Sequence, residues 1–479
     1  MKVLMASSEC APFFKTGGLG DVIEALPKAL KKKNVDVRVV LPYFSNYMTK
    51  YQCKCEDIAN IEVNVGWRKQ YCGIKKLINE EVTFYFIDNL YYFGREALYG
   101  YYDDGERFAF FQNAIIEMLK VVDFIPDVFQ CNDYHTAMIP FLLQEKYNYD
   151  KDFLNIRTLL TIHNIQFQGI YGPKVLPNLF GVDINYYFNG NTRWNNAVNF
   201  LKTGIVYATH VNTVSPSYAC EIQTSDFGAG LESMLQSQKH KLSGIVNGID
   251  FDIYNPKTDK YISSNYGIDS LELKSENKSV LQKSLGLPQK DVPILSVVSR
   301  LTFQKGIHLI LEEFDNILQK NVQFIILGNG DYQFEQQLNL FQQKYPKKCA
   351  VQIAFDIKLA QLIYAGSDIF LMPSGFEPCG LSQMIAMRYG TLPVVHEIGG
   401  LKDTVVPYNP IEKTGTGFGF QEFSSFYLMK AIEQAIDVLE KDKKTWRNMM
   451  IESMSKDFSW EIPSQNYIDL YNEIIYKNK

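Results

Sequence analysis

Lys15-Thr16-Gly17-Gly18-Leu19-Gly20-Asp21 is the stretch on which the reading of this chain turns. It follows a short apolar run, Val3-Leu4-Met5-Ala6, and precedes a helical pattern, Val22-Ile23-Glu24-Ala25-Leu26. That order predicts a strand, a glycine-rich turn and a helix. Glycines let a backbone approach a ligand closely, and the first amides of a helix carry partial positive charge. Lys15 adds a full cation. The combination suits a phosphate, although it is neither a GxGxxG nor a GxxxxGK[ST] loop. Taken alone, it reads equally well as an ordinary strand–helix turn with a solvated lysine.

The 479 residues exceed what one compact core holds and predict two or more domains. A composition of 46% hydrophobic and 21% charged residues is that of a globular protein. The net charge of −5 provides no basic field, so nucleic acid is not an expected partner. No apolar run approaches the ~18 residues of a membrane span, and no membrane partner is expected. Met1 opens directly onto the first strand, which predicts no leader. The eight cysteines have no C-x-x-C spacing, fit a reducing compartment and offer no zinc pattern. The expectation is a cytoplasmic protein. Nothing in the sequence bears on its oligomeric state. The 30 Tyr, 32 Phe and 4 Trp fill cores, and any surplus at the surface suits flat amphipathic ligands such as sugars.

Strand-like runs at 35–41, 82–87, 127–131, 158–163 and 210–214 alternate with helical patterns such as 108–120 and 136–147. This is the rhythm of a parallel sheet covered on both faces. From about 248 to 291 the pattern weakens into Asn, Ser, Lys and Asp with Pro256 and Pro288, as in an inter-domain segment. A second alternation follows, with strands at 294–298, 322–327, 349–355, 368–372 and 392–395 and helices at 306–318, 332–345, 359–365 and 381–389. The predicted fold is α/β, with two doubly wound Rossmann-like domains facing a cleft. Residues 1–250 form the first domain, 251–290 the inter-domain segment and 291–460 the second domain. A C-terminal helix, 461–479, is able to pack back on the first. Ligands of such sheets bind beyond the carboxyl ends of the strands, and the unusual residues of this chain fall there.

Ser299-Arg300-Leu301-Thr302-Phe303-Gln304-Lys305-Gly306 follows the first strand of the second half. Arg300 and Lys305 at a helix start would clamp a pyrophosphate; otherwise Arg300 pairs with a structural carboxylate and Lys305 is solvated. Pro373-Ser374-Gly375-Phe376-Glu377-Pro378-Cys379-Gly380-Leu381 follows another strand. Glu377 there would accept hydrogen bonds from sugar hydroxyls or face positive charge developing at an anomeric carbon, while the amides after it face a phosphate. His163, in Thr161-Ile162-His163-Asn164, is either a satisfied core histidine or a site residue. Asp133, in Cys131-Asn132-Asp133-Tyr134-His135, is also placed to cap the next helix. His396-Glu397-Ile398-Gly399-Gly400-Leu401 ends a late strand in a second glycine turn.

Together these segments resemble the ADP-glucose-using glycogen and starch synthases, the retaining glycosyltransferases of family 5. The matching segments run in family order. They include Ser8-Glu9-Cys10-Ala11-Pro12, the opening glycine turn, Tyr99-Gly100, Glu106-Arg107-Phe108, 163–169 and Asn199-Phe200-Leu201-Lys202. They continue through Thr213-Val214-Ser215-Pro216, Gly228-Ala229-Gly230-Leu231, Asn247-Gly248-Ile249-Asp250, 300–306, 376–381 and Gly399-Gly400-Leu401. The start directly at the first strand resembles the bacterial members.

The resemblance implies a GT-B fold and transfer of glucose from ADP-glucose to the non-reducing end of an α-1,4-glucan such as glycogen. It implies retention of the α configuration, with no metal and no other cofactor. It places the donor against Lys15, Gly17, Gly18, Asp21, Asn247, Arg300, Lys305, Glu377, Cys379, Gly380 and Leu381. It sets Glu377, His163 and Asp133 around the transferred glucose and Arg300 and Lys305 on the diphosphate. The residue types suit that chemistry, because cations serve the leaving diphosphate and oriented oxygens serve the developing sugar cation.

The chain departs from the common pattern at several positions. Gly375 stands where Arg is frequent, which puts donor preference in question. Asn132 and Tyr134 replace His and Trp around Asp133, Thr203 replaces Gly, and Ile398 replaces Thr; these read as packing changes. The cluster Tyr91-Tyr92-Phe93 with Tyr99 to Tyr102 either lines a glucan path or packs the core. Two other readings are a GT-B transferase for UDP-glucose or another acceptor, and a non-catalytic glucan-binding scaffold. The scaffold predicts damage at Lys15, Arg300, Lys305 or Glu377, and all four are present.

Overall fold

Runs of β-branched, aromatic and aliphatic residues build one large sheet in each of two units. The structure is a computed structural model in which residues 1–476 are described. One unit comprises Met1–Asn247 together with the chain from Trp460, and the other Gly248–Ser459.

The first unit holds a nine-stranded sheet. Its strands, in spatial order, are Leu242–Gly244, His210–Thr213, Arg157–Ile162, Val128–Asn132, Lys2–Ala6, Asp36–Pro42, Val82–Asp88, Arg68–Asn79 and Glu56–Val65. All neighbours are parallel until Val82–Asp88, which pairs antiparallel with Arg68–Asn79, itself antiparallel to Glu56–Val65. Central strands are buried on both faces, so they read as mostly apolar runs, with Gln130 and Asn132 the buried polar residues of Val128–Asn132. Lys2–Ala6 lies between Asp36–Pro42 and Val128–Asn132. The strand order therefore reverses beside it, and the ends of Lys2–Ala6 and Val128–Asn132 mark a topological switch point.

Helix Gly18–Lys32 follows the first strand. Helix Asp104–Met118 is buried almost all round and carries Arg107 in the interior. That guanidinium is answered by Asp104 Oδ1 at 2.5 Å and by the carbonyls of Tyr92 and Leu98. The C-terminal helix Glu461–Tyr476 packs on this first sheet, where Tyr471 bonds Gln130 and Tyr467 accepts from Asn212 Nδ2 at 3.3 Å.

The second sheet is six-stranded and wholly parallel. Its order is Cys349–Gln352, Gln323–Leu327, Ile294–Val298, Ile369–Met372, Leu392–His396 and Phe418–Phe420. Its switch point lies between Ile294–Val298 and Ile369–Met372. Phe314, Phe324, Phe418 and Trp446 anchor the core on one face.

The segment 251–290 is not a linker but part of this second unit. Helix Lys274–Ser284 sends Leu281 into a cluster with Leu287, Ile294, Ile325, Ala350 and Ile363. The rest of its buried face is polar. Lys274 Nζ donates to the carbonyls of Tyr364 (3.1 Å) and Ala365 (2.8 Å) and to Thr391 Oγ1 (2.8 Å). Asn277 ties down Ser263 and Ser264, and Gln282 bonds Gln323. Polar residues that pack through hydrogen bonds leave no apolar period to read. The helix expected at 306–318 is two, Ile307–Glu312 and Phe314–Gln319, broken at Glu313.

Candidate active site

At the first switch point the turn after Lys2–Ala6 leads into helix Gly18–Lys32, with Gly17 as its N-cap. Gly17 and Gly18 are exposed, and a Cβ on Gly17 would meet nothing within 4 Å. Gly20 has a different task from the one expected. It is buried, and a Cβ there would lie 2.4 Å from Lys15 Cβ, so it admits the lysine stem rather than a ligand. Lys15 Nζ stands 2.5 Å from Asp21 Oδ1, with both side chains about one third exposed (29% and 33%). Asp21 thus orients the lysine.

The second strand of this switch point ends at Asn132 and delivers Asp133, which is buried and adopts a left-handed backbone (φ 55°). Its carboxylate accepts from the amides of His163 (2.8 Å) and Asn164 (3.4 Å). Burial pushes its pKa up to about 7, against the lowering effect of those two amides. His163 is buried as well, and burial drives its imidazole down to about 3, so the ring is neutral. Asn132 Nδ2 donates to Ala6 O (2.9 Å), which leaves Asn132 Oδ1 to accept from His163 Nε2 (2.9 Å). Asn132, read as a packing change, therefore holds the imidazole and joins the two switch-point strands. A carboxyl raised from 3.8 to about 7 favours the folded state while protonated and loses that contribution as pH rises through this window. Against Asp133→Asn, the thermal midpoint of the unmodified chain is expected to fall from pH 4 to pH 7 and to run parallel above about pH 8; differential scanning fluorimetry across pH checks this.

At the second switch point, Ile294–Val298 leads to Arg300 and Lys305, and Ile369–Met372 leads to Glu377. Lys305 Nζ lies 2.5 Å from Glu377 Oε2, which also accepts from Ser374 Oγ at 2.9 Å. Glu377 Oε1 has no hydrogen-bond partner among the described residues, nor does the exposed Arg300 guanidinium. Two bonds stitch the loops together: Gly375 N to Gln304 O (2.9 Å) and Gln304 Nε2 to Phe376 O (3.1 Å). The glycine turn at 399–400 closes on the same loop through Gly400 N to Glu377 O (3.1 Å), and His396 Nδ1 donates to Ser374 O (2.8 Å). Ser374 was not singled out from the sequence; its position three residues before Glu377 in one loop is the signal that could have found it.

Cys379 is buried beside Glu377, and Gly380 and Leu381 are half-buried ahead of helix Ser382–Arg388. Asn247, the last residue of the first unit, is buried, and its Oδ1 accepts no hydrogen bond among the described residues. At Gly375 a Cβ would lie 2.8 Å from the Phe423 ring, so that ring fills the space of a larger residue. The tyrosine cluster divides: Tyr92 and Phe93 are core, Tyr91 and Tyr102 are exposed.

The family described as "Starch synthase catalytic domain" matches residues 2–237, and "Glycosyl transferases group 1" matches 279–455. The glycogen synthase of Ligilactobacillus salivarius is 56% identical over 477 residues, 99% of this chain and 100% of that protein. The glycogen synthase of Lactococcus lactis is 56% identical over 478 residues, with the same coverage. The solved catalytic domain of starch synthase IV from Arabidopsis thaliana, bound to ADP and acarbose, has a TM-score of 0.92 at 32% identity and 99% coverage of both chains. A sucrose-phosphate synthase from Thermosynechococcus elongatus, 16% identical with a TM-score of 0.62, shares the fold alone. The chain belongs to the glycogen and starch synthase family and has the GT-B glycosyltransferase fold.

Proposed function

We propose that this chain transfers glucose from ADP-glucose to the non-reducing end of an α-1,4-glucan, with retention of configuration and without a metal. The carrying observation is the Lys305–Glu377–Ser374 constellation together with Arg300, whose guanidinium has no partner among the described residues, all at the carboxyl ends of the two strands flanking one switch point. Breaking the glucosyl–phosphate bond leaves negative charge on the diphosphate and positive charge on the sugar. Lys305 donates one N–H to Glu377, and its two other protons are available to the leaving oxygens. Arg300 offers a planar fork to the same group. Glu377 presents Oε1 to the glucose, where a fixed carboxylate balances the developing cation. We read Glu377 as this electrostatic partner rather than as a nucleophile. His163 and Asp133 are assigned to the glucose hydroxyls, and Lys15 with the Gly17-Gly18 backbone to the donor phosphates. The glycogen synthases among the relatives and the ADP held by the starch synthase IV domain support this reading.

No disulfide joins any of the eight cysteines, and no helix among the described residues is long and apolar enough to cross a membrane; a cytoplasmic setting is part of the proposal. The direct test is incorporation of labelled glucose from ADP-glucose into glycogen, with EDTA present. Chain lengthening that a debranched product analysis assigns to α-1,4 linkages is expected. No transfer sinks the activity, and an EDTA loss restored by Mg²⁺ sinks the metal-free mechanism. Gly375 and the Phe423 ring over it favour one competing donor reading. Turnover from UDP-glucose exceeding that from ADP-glucose would establish it.

A further inference from the structure

The family segment Ser8-Glu9-Cys10-Ala11-Pro12 contains a buried carboxylate to which the proposed reaction assigns no task. Glu9 is only 4% exposed. Among the described residues no ammonium or guanidinium pairs with it, and a buried charge without such a partner persists only when hydrogen bonds replace its water. Donors converge on both oxygens. Oε2 accepts from Thr16 N (2.6 Å) and Gly17 N (3.2 Å). Oε1 accepts from Thr16 Oγ1 (2.6 Å) and Tyr99 OH (2.9 Å). Glu9 thus takes the last amides before helix Gly18–Lys32, whose N-cap is a glycine with no side chain to offer. Gly20 N donates to the Gly17 carbonyl (3.2 Å), and the first two amides of the helix, Gly18 N and Leu19 N, have no acceptor inside it and stay open to an anion. Tyr99 also bonds Ser8 Oγ (2.8 Å), and its ring lies 4.7 Å from that of His135, two residues after Asp133. The contact therefore ties the lysine–glycine turn to the loop on the other side of the switch point.

We infer that Glu9 is a positioning residue for the donor: it holds Thr16 and Gly17 so that Lys15 and the helix N-terminus face the diphosphate. The inference rests on the proposed reading of this turn as a donor contact. The geometry also says what the side chain at position 9 must supply, an acceptor for two backbone amides. Two of the donors are backbone amides that cannot reverse, whereas the Thr16 and Tyr99 hydroxyls can donate or accept. A glutamine could keep its oxygen on the amides and turn its NH₂ to the hydroxyls; an alanine keeps neither.

The test is steady-state kinetics with ADP-glucose and glycogen for Glu9→Ala, Glu9→Gln, Tyr99→Phe and Lys15→Ala. Glu9→Ala is expected to raise the KM for ADP-glucose at least ~10-fold with the KM for glycogen unchanged, because a slightly misplaced loop loses the oriented contact. Glu9→Gln is expected to stay within about 3-fold of the unmodified enzyme, and Tyr99→Phe to raise the donor KM about 2- to 5-fold. A donor KM left unchanged by Glu9→Ala, or a glutamine variant as impaired as the alanine one, overturns the inference. If Glu9→Ala does not fold, Tyr99→Phe decides, and an unchanged donor KM there overturns it. Lys15→Ala separates the two readings. An unchanged donor KM in Lys15→Ala means that the turn does not bind the donor; a raised one beside an unaffected Glu9→Ala removes only the positioning role.

Discussion

Lys305→Ala is expected to lower kcat/KM by ~10²–10³-fold while the chain stays folded, the size of loss seen when one preorganised donor to a developing anion is removed. Lys305 serves two partners. Its ammonium lies 2.5 Å from Glu377 Oε2 and, in the proposed reaction, faces the departing diphosphate. Its removal takes a cation from the leaving group and leaves a carboxylate that is only 8% exposed with Ser374 as its remaining side-chain partner. Glu377→Gln is expected to lose a similar amount, since a neutral amide cannot balance charge on the sugar and releases Lys305 from its place. Because the two act as a unit, the double variant should be little worse than the poorer single one. Initial rates at saturating glycogen, with circular dichroism and thermal midpoints as folding controls, check each arm. Near-normal rates in both single variants would remove this pair from the reaction.

Much of the architecture was legible because central parallel strands are buried on both faces. The runs at 3–6, 128–131, 294–298 and 369–372 are, but for Gln130 and Ser296, apolar for that reason, and the decisive turns sit at their ends. The edge hairpin Glu56–Val65 and Arg68–Asn79 was not legible, since most of its positions are exposed or only half-buried and it is rich in charged side chains. Helix Lys274–Ser284 escaped because Lys274, Asn277 and Gln282 do much of its packing. The same division runs through the site. Arg300, Lys305 and Glu377 stand out by residue type at strand ends. What each atom does depends on neighbours distant in sequence. Lys305 and Glu377 are 72 residues apart, Asn132 and His163 are 31 apart, and Tyr99 reaches Glu9 across 90. The contrast between Gly17 and Gly20 is likewise invisible in a string of glycines, because only the fold places Lys15 against the second.

Gly306→Ala is the substitution expected to damage the second unit most for its size. Gly306 has φ +70°, where an alanine is strained by about 1–2 kcal/mol. A Cβ there would also lie 1.9 Å from the carbonyl oxygen of Pro373, a backbone atom that cannot swing aside. The clash separates two loops, one carrying Lys305 and the other Glu377, and relieving it must strain the Gly375–Gln304 and Gln304–Phe376 bonds that join them. Overpacking of this kind adds roughly 1–3 kcal/mol. The thermal midpoint should therefore drop by several degrees. Activity should fall at least ~10²-fold even at temperatures where the variant is folded, because the ammonium–carboxylate pair loses its geometry. Gly17→Ala is the matched control: its φ of −156° is open to any residue and its Cβ meets no neighbour. Its midpoint should fall by no more than the small cost of alanine for glycine at an N-cap, well short of the Gly306→Ala drop, so a rise in the KM for ADP-glucose would report a ligand lying close against that backbone. Scanning fluorimetry and steady-state kinetics on the two variants separate the cases. An unchanged midpoint and normal rates in Gly306→Ala would mean that the loops do not approach as closely as 1.9 Å requires, and the coupling of Lys305 to Glu377 through their loops would fall with it.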